Sequence, residues 1–300
     1  MKLKGIYPIV PTPFLNSGAL DMESINKLTR FMANRGVHGL AVLGALGEGH
    51  KLDEGERTQV IERYRALLPD GLGLVVGVRA AATDLAMRMA QHASRLGADA
   101  LLLGPLPVQN EKALRTYYQR VSDAVDVPVI IHDYPAAAGI TMTPELIAHI
   151  FKACRNVQYI KLEDPPTGPK MDAVWALTGK DLEVFGALGG TFAFEELDRG
   201  AIGIMTGFAY PELLVELYRR YQSGDTDGAA ELFYDIVPLI RLEFQPGIGV
   251  SLRKNILVKR GVFTSAYVRH PGPEADAKTL EHLFRIVEHL KKRGYEMSDR

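Results

Sequence analysis

Eight short apolar segments, each followed by a stretch with helical periodicity, constrain the fold of this chain more than any other feature of its sequence. They are rich in Val, Ile and Leu and mostly end at Gly or Pro, as buried parallel strands do. The segments are residues 5–14, 39–48, 72–80, 98–106, 127–135, 157–164, 182–189 and 201–209. Eight strands that alternate with helices predict a (β/α)8 TIM barrel, an α/β fold.

An open, doubly wound sheet is the alternative arrangement of such alternating elements. It usually has fewer strands, and a glycine-rich phosphate-binding turn follows its first strand. Here the first strand leads into PTPFLNSGAL, which lacks the G-x-G-x-x-G pattern. The sequence therefore favours the closed barrel.

After the eighth strand the sequence predicts helices only. We assign residues 1–222 to the barrel and residues 223–300 to a C-terminal helical extension of three helices. The apolar stripes of these helices are expected to pack on the barrel or on another subunit. Pro238 lies in the first helix of the extension and is expected to kink or end it.

Charge and composition narrow the classes of function. The formal net charge of −1 gives no electrostatic reason to expect nucleic acid or an anionic membrane as a partner. No run of 18 uninterrupted apolar residues is present, so we expect no membrane-spanning helix. Cys154 is the single cysteine, which excludes an intramolecular disulfide. Together with an N-terminus that lacks the features of a signal peptide, it predicts a cytoplasmic protein.

A lysine in the middle of the sixth predicted strand, VQYIKLED, is the strongest functional signal. Because side chains alternate across a strand, one face carries Val157, Tyr159, Lys161 and Glu163. Ile160 and Leu162 suit the helix layer, so Lys161 is expected to point into the barrel near its C-terminal mouth, where active sites of this fold lie. Burial lowers the pKa of an ammonium and makes the amine a nucleophile that can form a Schiff base. An ion pair with Glu163 or a solvated strand end is the alternative.

Two further features belong to the same predicted mouth. Tyr134 and His132 share a face of the fifth strand, so Tyr134 is expected near Lys161, where a phenol can relay protons. A tyrosine at the rim is the alternative, and His132 is interpreted as a hydrogen-bonded interior residue. The turn between Gly44 and Gly47 offers backbone amides to a carboxylate, or is simply a glycine-rich barrel turn.

Several motifs together resemble the dihydrodipicolinate synthase / N-acetylneuraminate lyase family of class I aldolase-type barrels. The matching segments are PIVPTPF, GALGE, DYP, YIKLED and GAIGIMTG, and the likeness extends over nearly the whole chain. The resemblance implies a lyase that needs no metal or other cofactor. It implies a lysine Schiff base with pyruvate or another 2-oxo acid, in an aldol condensation, a cleavage or a dehydration.

The resemblance also assigns roles to residues. It makes Lys161 the imine nucleophile and Tyr134 the proton relay. The substrate-binding positions that it implies are Ala45, Leu46, Gly186 and Met205. It further implies a small-molecule partner and a homo-oligomer, either a dimer or a tetramer built from dimers.

Departures from the family pattern bear on the substrate. Ala45 and Leu46 replace paired threonines, GPLPVQ lacks a relay tyrosine, and YPAAAGITM lacks the arginine that binds aspartate semialdehyde. We therefore expect weak synthase activity, unless Arg79 or Arg253 supplies the cation, and better turnover of a 2-keto-3-deoxy sugar acid or an uncharged aldehyde. KLEDPP and DYPAAAG resemble the branch that dehydrates such sugar acids, with Glu163 as a polar contact or base. A rim carboxylate is the alternative for Glu163.

Two other functions remain open from the sequence. A phosphate- or flavin-binding barrel is indicated by the glycines of GALGG and MTGF after the last two strands, where such barrels hold phosphate. A catalytically inactive scaffold is the other, although the presence of both Lys161 and Tyr134 argues against it.

Overall fold

A computed structural model describes residues 2–297 of the chain, and within that range eight parallel strands form one barrel. The strands are β1 Gly5–Ile6, β2 Gly39–Val42, β3 Gly73–Val78, β4 Ala100–Leu103, β5 Val129–Asp133, β6 Val157–Leu162, β7 Glu183–Gly186 and β8 Gly203–Ile204. From β2 to β8 each strand pairs with the next, and β8 pairs with β1. The amide of Val10 donates to the carbonyl of Ala41 at 3.0 Å and closes the ring. The predicted TIM barrel is confirmed.

Helices surround the barrel, and sequence-encoded caps begin several of them. They are α1 Met22–Asn34, α2 Glu54–Leu67, α3 Thr83–Arg95, α4 Glu111–Asp123, α5 Pro135–Ala138, α6 Pro144–Ala153, α7 Thr167–Thr178, α8 Ala193–Arg199, α9 Pro211–Gln222, α10 Thr226–Glu243, α11 Gly249–Lys259 and α12 Ala277–Lys292. Asp53 and Glu56 form a reciprocal capping box at the start of α2. Thr143 caps α6, and Pro144 takes the first helical position, where an N–H would have no partner. None of the helices in residues 2–297 combines the length and apolar character needed to cross a bilayer.

The C-terminal extension consists of α10, α11 and α12, whose apolar residues pack with α8 and α9 in one buried cluster. Residues 1 and 298–300 of the two predicted domains lie outside the described residues. The prediction that Pro238 could end its helix is wrong, because α10 continues through it to Glu243. Pro238 and Tyr234, four residues earlier, are both exposed, so water can bond the carbonyl that lost its helical donor.

The two faces of β6 separate as the alternation predicts. Tyr159 packs inside the barrel with the other inward side chains. Ile160 and Leu162 lie in the cluster between the strands and the surrounding helices. Lys161, two residues after Tyr159, therefore points inward at the end of its strand.

The first residue of β6 departs from this alternation. Val157 packs in the outer cluster, so its predicted place on the inner face is wrong. The pairing of β5 and β6 shifts at this point: Val129 pairs with Val157, but Ile130 pairs with Tyr159. Gln158 is the extra residue of a β-bulge, which changes the phase of alternation before Lys161 is reached.

Candidate active site

A cavity of about 400 Å³ lies at the C-terminal mouth of the barrel. Its walls come from the turn after β2, the ends of β5, β6 and β8, and the extension. Five of the residues predicted for the site line it: Ala45, Leu46, Tyr134, Lys161 and Glu163. Its position at the carboxyl ends of the strands is the usual place for a barrel active site.

Lys161 is the buried amine of this cavity, with 4% of its surface exposed. Its Nζ contacts Oε1 of Glu163 and lies 3.2 Å from Nε2 of His132. Burial lowers the pKa of Lys161 to about 7; the negative charge of Glu196 opposes this shift and the positive charge of Arg253 adds to it. An amine with a pKa near neutrality is unprotonated often enough to act as a nucleophile.

Glu163 connects three groups at the mouth. Its Oε1 lies 2.8 Å from Nε2 of His132, in addition to the contact with Lys161, and its Oε2 accepts a hydrogen bond of 3.1 Å from the amide of Leu188. Its own amide donates to the carbonyl of Asp133 at 2.8 Å, which continues the strand pairing beyond β6. The ion pair with Lys161 that the sequence left open is therefore present. Glu163 lies in the wall of the cavity and not at its rim.

The ring of His132 stacks on that of Tyr134, with centroids 5.8 Å apart. Burial holds the pKa of His132 well below its ordinary value, so the imidazole is neutral. The Tyr134 ring lies 5.9 Å from Nζ of Lys161. Burial raises the pKa of Tyr134, so its phenol remains protonated at neutral pH and can donate a proton.

The turn after β2 leaves amides free at the cavity. Leu43 and Glu48 adopt left-handed backbone angles, with φ of +58° and +53°, and the amide of Glu48 donates to the carbonyl of Ala45 at 3.1 Å. In the described part of the chain the amides of Ala45 and Leu46 donate to no acceptor. Such free amides can bind an anion.

Arg253 also lines the cavity. From the sequence it is expected only as a possible replacement for the missing arginine that binds aspartate semialdehyde. Its Nε lies 2.8 Å from Oε1 of Glu243 and donates to the carbonyl of Gly207 at 2.6 Å. Lys254, the next residue, is fully buried, with its Nζ 2.6 Å from Oε1 of Glu48. The sequence does contain a signal for Arg253 and Lys254. They are adjacent cations in a predicted helix, GVSLRKNILVKRG, that is otherwise largely apolar, and buried charges require partners.

Gly186 and Met205 are buried beside the cavity and are not among the residues that line it. The amide of Met205 donates to the carbonyl of Gly186 at 2.9 Å, and the adjacent Thr206 and Gly207 form the wall instead. The absence of a side chain at Gly186 leaves room for the carboxyl group of Glu196, since a Cβ at residue 186 would lie 2.2 Å from Oε2 of Glu196. Burial raises the pKa of Glu196 to about 8.

The glycine turn after β7, which the sequence offered as a phosphate site, is closed. A Cβ at Gly189 would lie 2.2 Å from the ring of Phe244, the residue directly after α10, which shows how tightly this residue covers the turn. The amide of Leu188 already donates to Glu163. Because an aromatic ring covers this turn and one of its amides already has an acceptor, the turn is unfavourable for binding phosphate.

Comparison with known proteins identifies the family. The model of the dihydrodipicolinate synthetase family matches residues 2–290. The chain belongs to this family. The L-2-keto-3-deoxyarabonate dehydratase of Azospirillum brasilense is 28% identical, over 96% of this chain and 94% of its own length. A probable 2-dehydro-3-deoxy-D-pentonate aldolase of Escherichia coli is 28% identical, over 94% of this chain and 96% of its own.

A solved structure of the family agrees with the fold. Dihydrodipicolinate synthase from Rhodopseudomonas palustris matches with a TM-score of 0.90 and 33% identity, over 95% of this chain and 97% of that one. Relatives of this chain are named as synthases, dehydratases and aldolases, which are lyases. The predicted lyase of this family is therefore confirmed.

Proposed function

We propose that Lys161 forms a Schiff base with the ketone of a 2-oxo acid, and that this lyase dehydrates a 2-keto-3-deoxy sugar acid. The observation that carries the proposal is the Lys161 amine, with a pKa of about 7, buried in contact with the Glu163 carboxylate. The relative named as L-2-keto-3-deoxyarabonate dehydratase supports the substrate class.

Imine formation comes first. The unprotonated amine of Lys161 attacks C2 of the substrate, and the resulting carbinolamine loses water to give a protonated imine. Tyr134, whose ring is 5.9 Å from Nζ, transfers the protons of these steps. The free amides of Ala45 and Leu46 hold the carboxylate next to C2.

Elimination follows from the place of Glu163. Because its Oε1 contacts Nζ, the carboxylate lies close to C3, which is two bonds from that nitrogen. Glu163 takes the C3 proton, the electron pair moves into the imine, and the resulting enamine expels the C4 hydroxyl. Tyr134 protonates the leaving hydroxide to water, and hydrolysis of the imine releases the product and Lys161. The proton that Glu163 took from C3 then passes to Tyr134, which restores both groups. The net reaction is the loss of one water.

The wall near Tyr134 argues against aspartate semialdehyde as the second substrate. The residues that follow it, Ala136 to Ala138, carry no cation of their own. The neighbouring Arg79 donates from Nη2 to the carbonyl of Ala137, so part of its guanidinium is already bonded to this segment. A substrate carboxylate without a charged partner forfeits hydrogen bonds of roughly 1.5–3 kcal/mol. We expect the corresponding loss of about one to two orders of magnitude in selectivity.

The test combines trapping with product analysis. Borohydride with pyruvate should add mass at Lys161, and Lys161→Ala should abolish the adduct. Values of kcat/KM should be compared in one buffer for 2-keto-3-deoxy sugar acids and for pyruvate with aspartate semialdehyde. The product of the sugar acid should be its dehydrated 2-oxo acid. Labelling that survives Lys161→Ala refutes the Schiff base. Release of pyruvate and an aldehyde, or a tenfold preference for aspartate semialdehyde, refutes the dehydration.

The remaining proposals concern the assembly, the location and the domain division of the protein. A homo-oligomer, a dimer or a tetramer, is supported by the family resemblance and by the prevalence of closed symmetry among oligomers. A cytoplasmic location and the division into residues 1–222 and 223–300 are supported by the sequence composition and by the start of α10 at Thr226.

A further inference from the structure

The extension places a guanidinium in the wall of the active-site cavity. Arg253 is 5% exposed, and its Nε is held by Glu243 and by the carbonyl of Gly207. Its Nη1 donates to the carbonyl of Gly249 at 3.2 Å. Glu243 is itself fixed, because it accepts a hydrogen bond of 3.0 Å from the amide of Ala209. Arg253 therefore has a defined position.

These contacts leave part of the guanidinium unused. They engage Nε and one hydrogen of Nη1, and Nη2 bonds to no group in residues 2–297. A buried charged donor is costly unless it is bonded, and Arg253 faces the cavity. The planar fork of Arg suits a carboxylate, which it can bind with two parallel hydrogen bonds.

Gly207 brings Arg253 beside the turn that carries the free amides. A Cβ at Gly207 would lie only 1.9 Å from Cδ2 of Leu46, so the two segments are in close contact. The guanidinium that bonds the carbonyl of Gly207 is thus on the same wall as the amides of Ala45 and Leu46. Because the guanidinium and the free amides are neighbours, we expect them to bind one carboxylate together and not two separate anions.

The distance to the reacting centre is also short enough for electrostatic influence. The positive charge of Arg253 lowers the pKa of Lys161, and it opposes the effect of burial on the pKa of Tyr134. A cation must lie near both groups to act in this way. Arg253 therefore lines the same cavity as Lys161 and Tyr134 and is close enough to both for its charge to affect them.

We propose that Arg253 binds the carboxylate adjacent to the ketone of the 2-oxo acid, together with the amides of Ala45 and Leu46. This assignment rests on the proposed Schiff-base function and adds to it a substrate-binding residue from outside the barrel. Arg253 selects for a charged 2-oxo acid over an uncharged ketone.

The experiment compares pyruvate with methyl pyruvate, which keeps the ketone and lacks the charge. Adduct formation with cyanoborohydride is measured by intact mass against ligand concentration for the wild type, Arg253→Gln and Arg253→Lys. For Arg253→Gln, the half-saturating pyruvate concentration should rise roughly 10- to 100-fold, and that of methyl pyruvate should change less than about threefold. Arg253→Lys should give an intermediate value, because it keeps the charge and loses the fork.

Two further variants separate binding from stability. Arg241→Gln removes an exposed cation from α10 and should leave both ligands unchanged. Glu243→Gln with Arg253→Gln removes the buried pair together, so no charge is left alone if the single variant does not fold. This double variant should show the same selective loss of pyruvate. Melting temperatures report whether each variant is folded.

Several results would overturn the assignment. Equal losses for pyruvate and its ester would mean that Arg253 only supports the fold, and unchanged pyruvate trapping would place the carboxylate elsewhere. 2-Oxoglutarate, trapped in the same way, serves as a third ligand, and a loss confined to it would mean that Arg253 binds a distal carboxylate. Absence of an adduct in the wild type would instead refute the proposed Schiff-base function. Pyruvate-induced shifts of the melting temperature, in wild type against Arg253→Gln, would still test Arg253.

Discussion

The contact between Lys161 and Glu163 predicts an unusual result for Glu163→Gln. Glutamine keeps the shape of the side chain but removes the charge, so the Lys161 ammonium stays buried and loses its carboxylate partner. A hydrogen bond to a charged group contributes roughly 1.5–3 kcal/mol, and one pKa unit corresponds to about 1.36 kcal/mol. The pKa of Lys161 should therefore be lower in Glu163→Gln than in the wild type, by about 1–2 units.

The direction of the pH effect follows from the protonation state. Only the neutral amine attacks a ketone, so the trapping rate rises as pH increases through the pKa of Lys161 and is level above it. In Glu163→Gln this rise should occur about 1–2 pH units lower than in the wild type. Dehydration should nevertheless fall by roughly 100-fold or more, because the base that removes the C3 proton is lost.

The assay measures the two steps separately. The rate of cyanoborohydride trapping with pyruvate is followed by intact mass between pH 5 and pH 9, and turnover of the sugar acid is measured in the same buffers. Glu195→Gln, an exposed carboxylate of α8, is the control and should match the wild type. An upward or absent shift of the trapping profile would contradict the electrostatic role of Glu163. Dehydration within tenfold of the wild type would contradict its role as base.

Three other variants or measurements test further features. Tyr134→Phe keeps the ring stacked on His132 but removes the hydroxyl, so trapping and turnover should slow about 100-fold; rates within threefold of the wild type would exclude the relay. Lys254→Met removes one of the two lysines that form ion pairs with Glu48 within residues 2–297, and Lys51 is the other. It should lower the free energy of unfolding in urea by about 3 kcal/mol, the lower end for breaking a buried pair; a loss below about 1 kcal/mol would contradict this. Sedimentation velocity at micromolar concentration should show a dimer or tetramer, and a monomer would refute the proposed assembly.

The site could be predicted where it depends on strand alternation. Lys161 and Tyr134 were placed at one mouth because inward positions in a barrel strand repeat every two residues. The same rule gave the wrong side for Val157, since the bulge at Gln158 depends on the pairing of β6 with β5. The prediction that Pro238 could end its helix is wrong for a similar reason: the cost of the lost bond depends on whether that helix face is exposed.

The arginine of the cavity was beyond such local rules. The pattern around Arg253 predicts a helix with buried charges, but not which part of the barrel that helix covers. Its place depends on how α10 and α11 pack over the strand ends, and on the contact of Gly207 with Leu46. Such long-range packing leaves no periodic signal in one sequence.

The adjacent cations of α11 have an evolutionary consequence. Lys254 forms an ion pair with Glu48 in the turn after β2, while Arg253 lies in the cavity wall, so one short helix outside the barrel contacts the turn and places a positive charge at the cavity. The amine and its carboxylate, in contrast, belong to a barrel strand and the residue that follows it. Mutations in the helix can therefore change which acids enter while the bond-forming chemistry is inherited intact. We expect exchange of this segment between relatives to change substrate preference and to leave the Schiff-base chemistry in place.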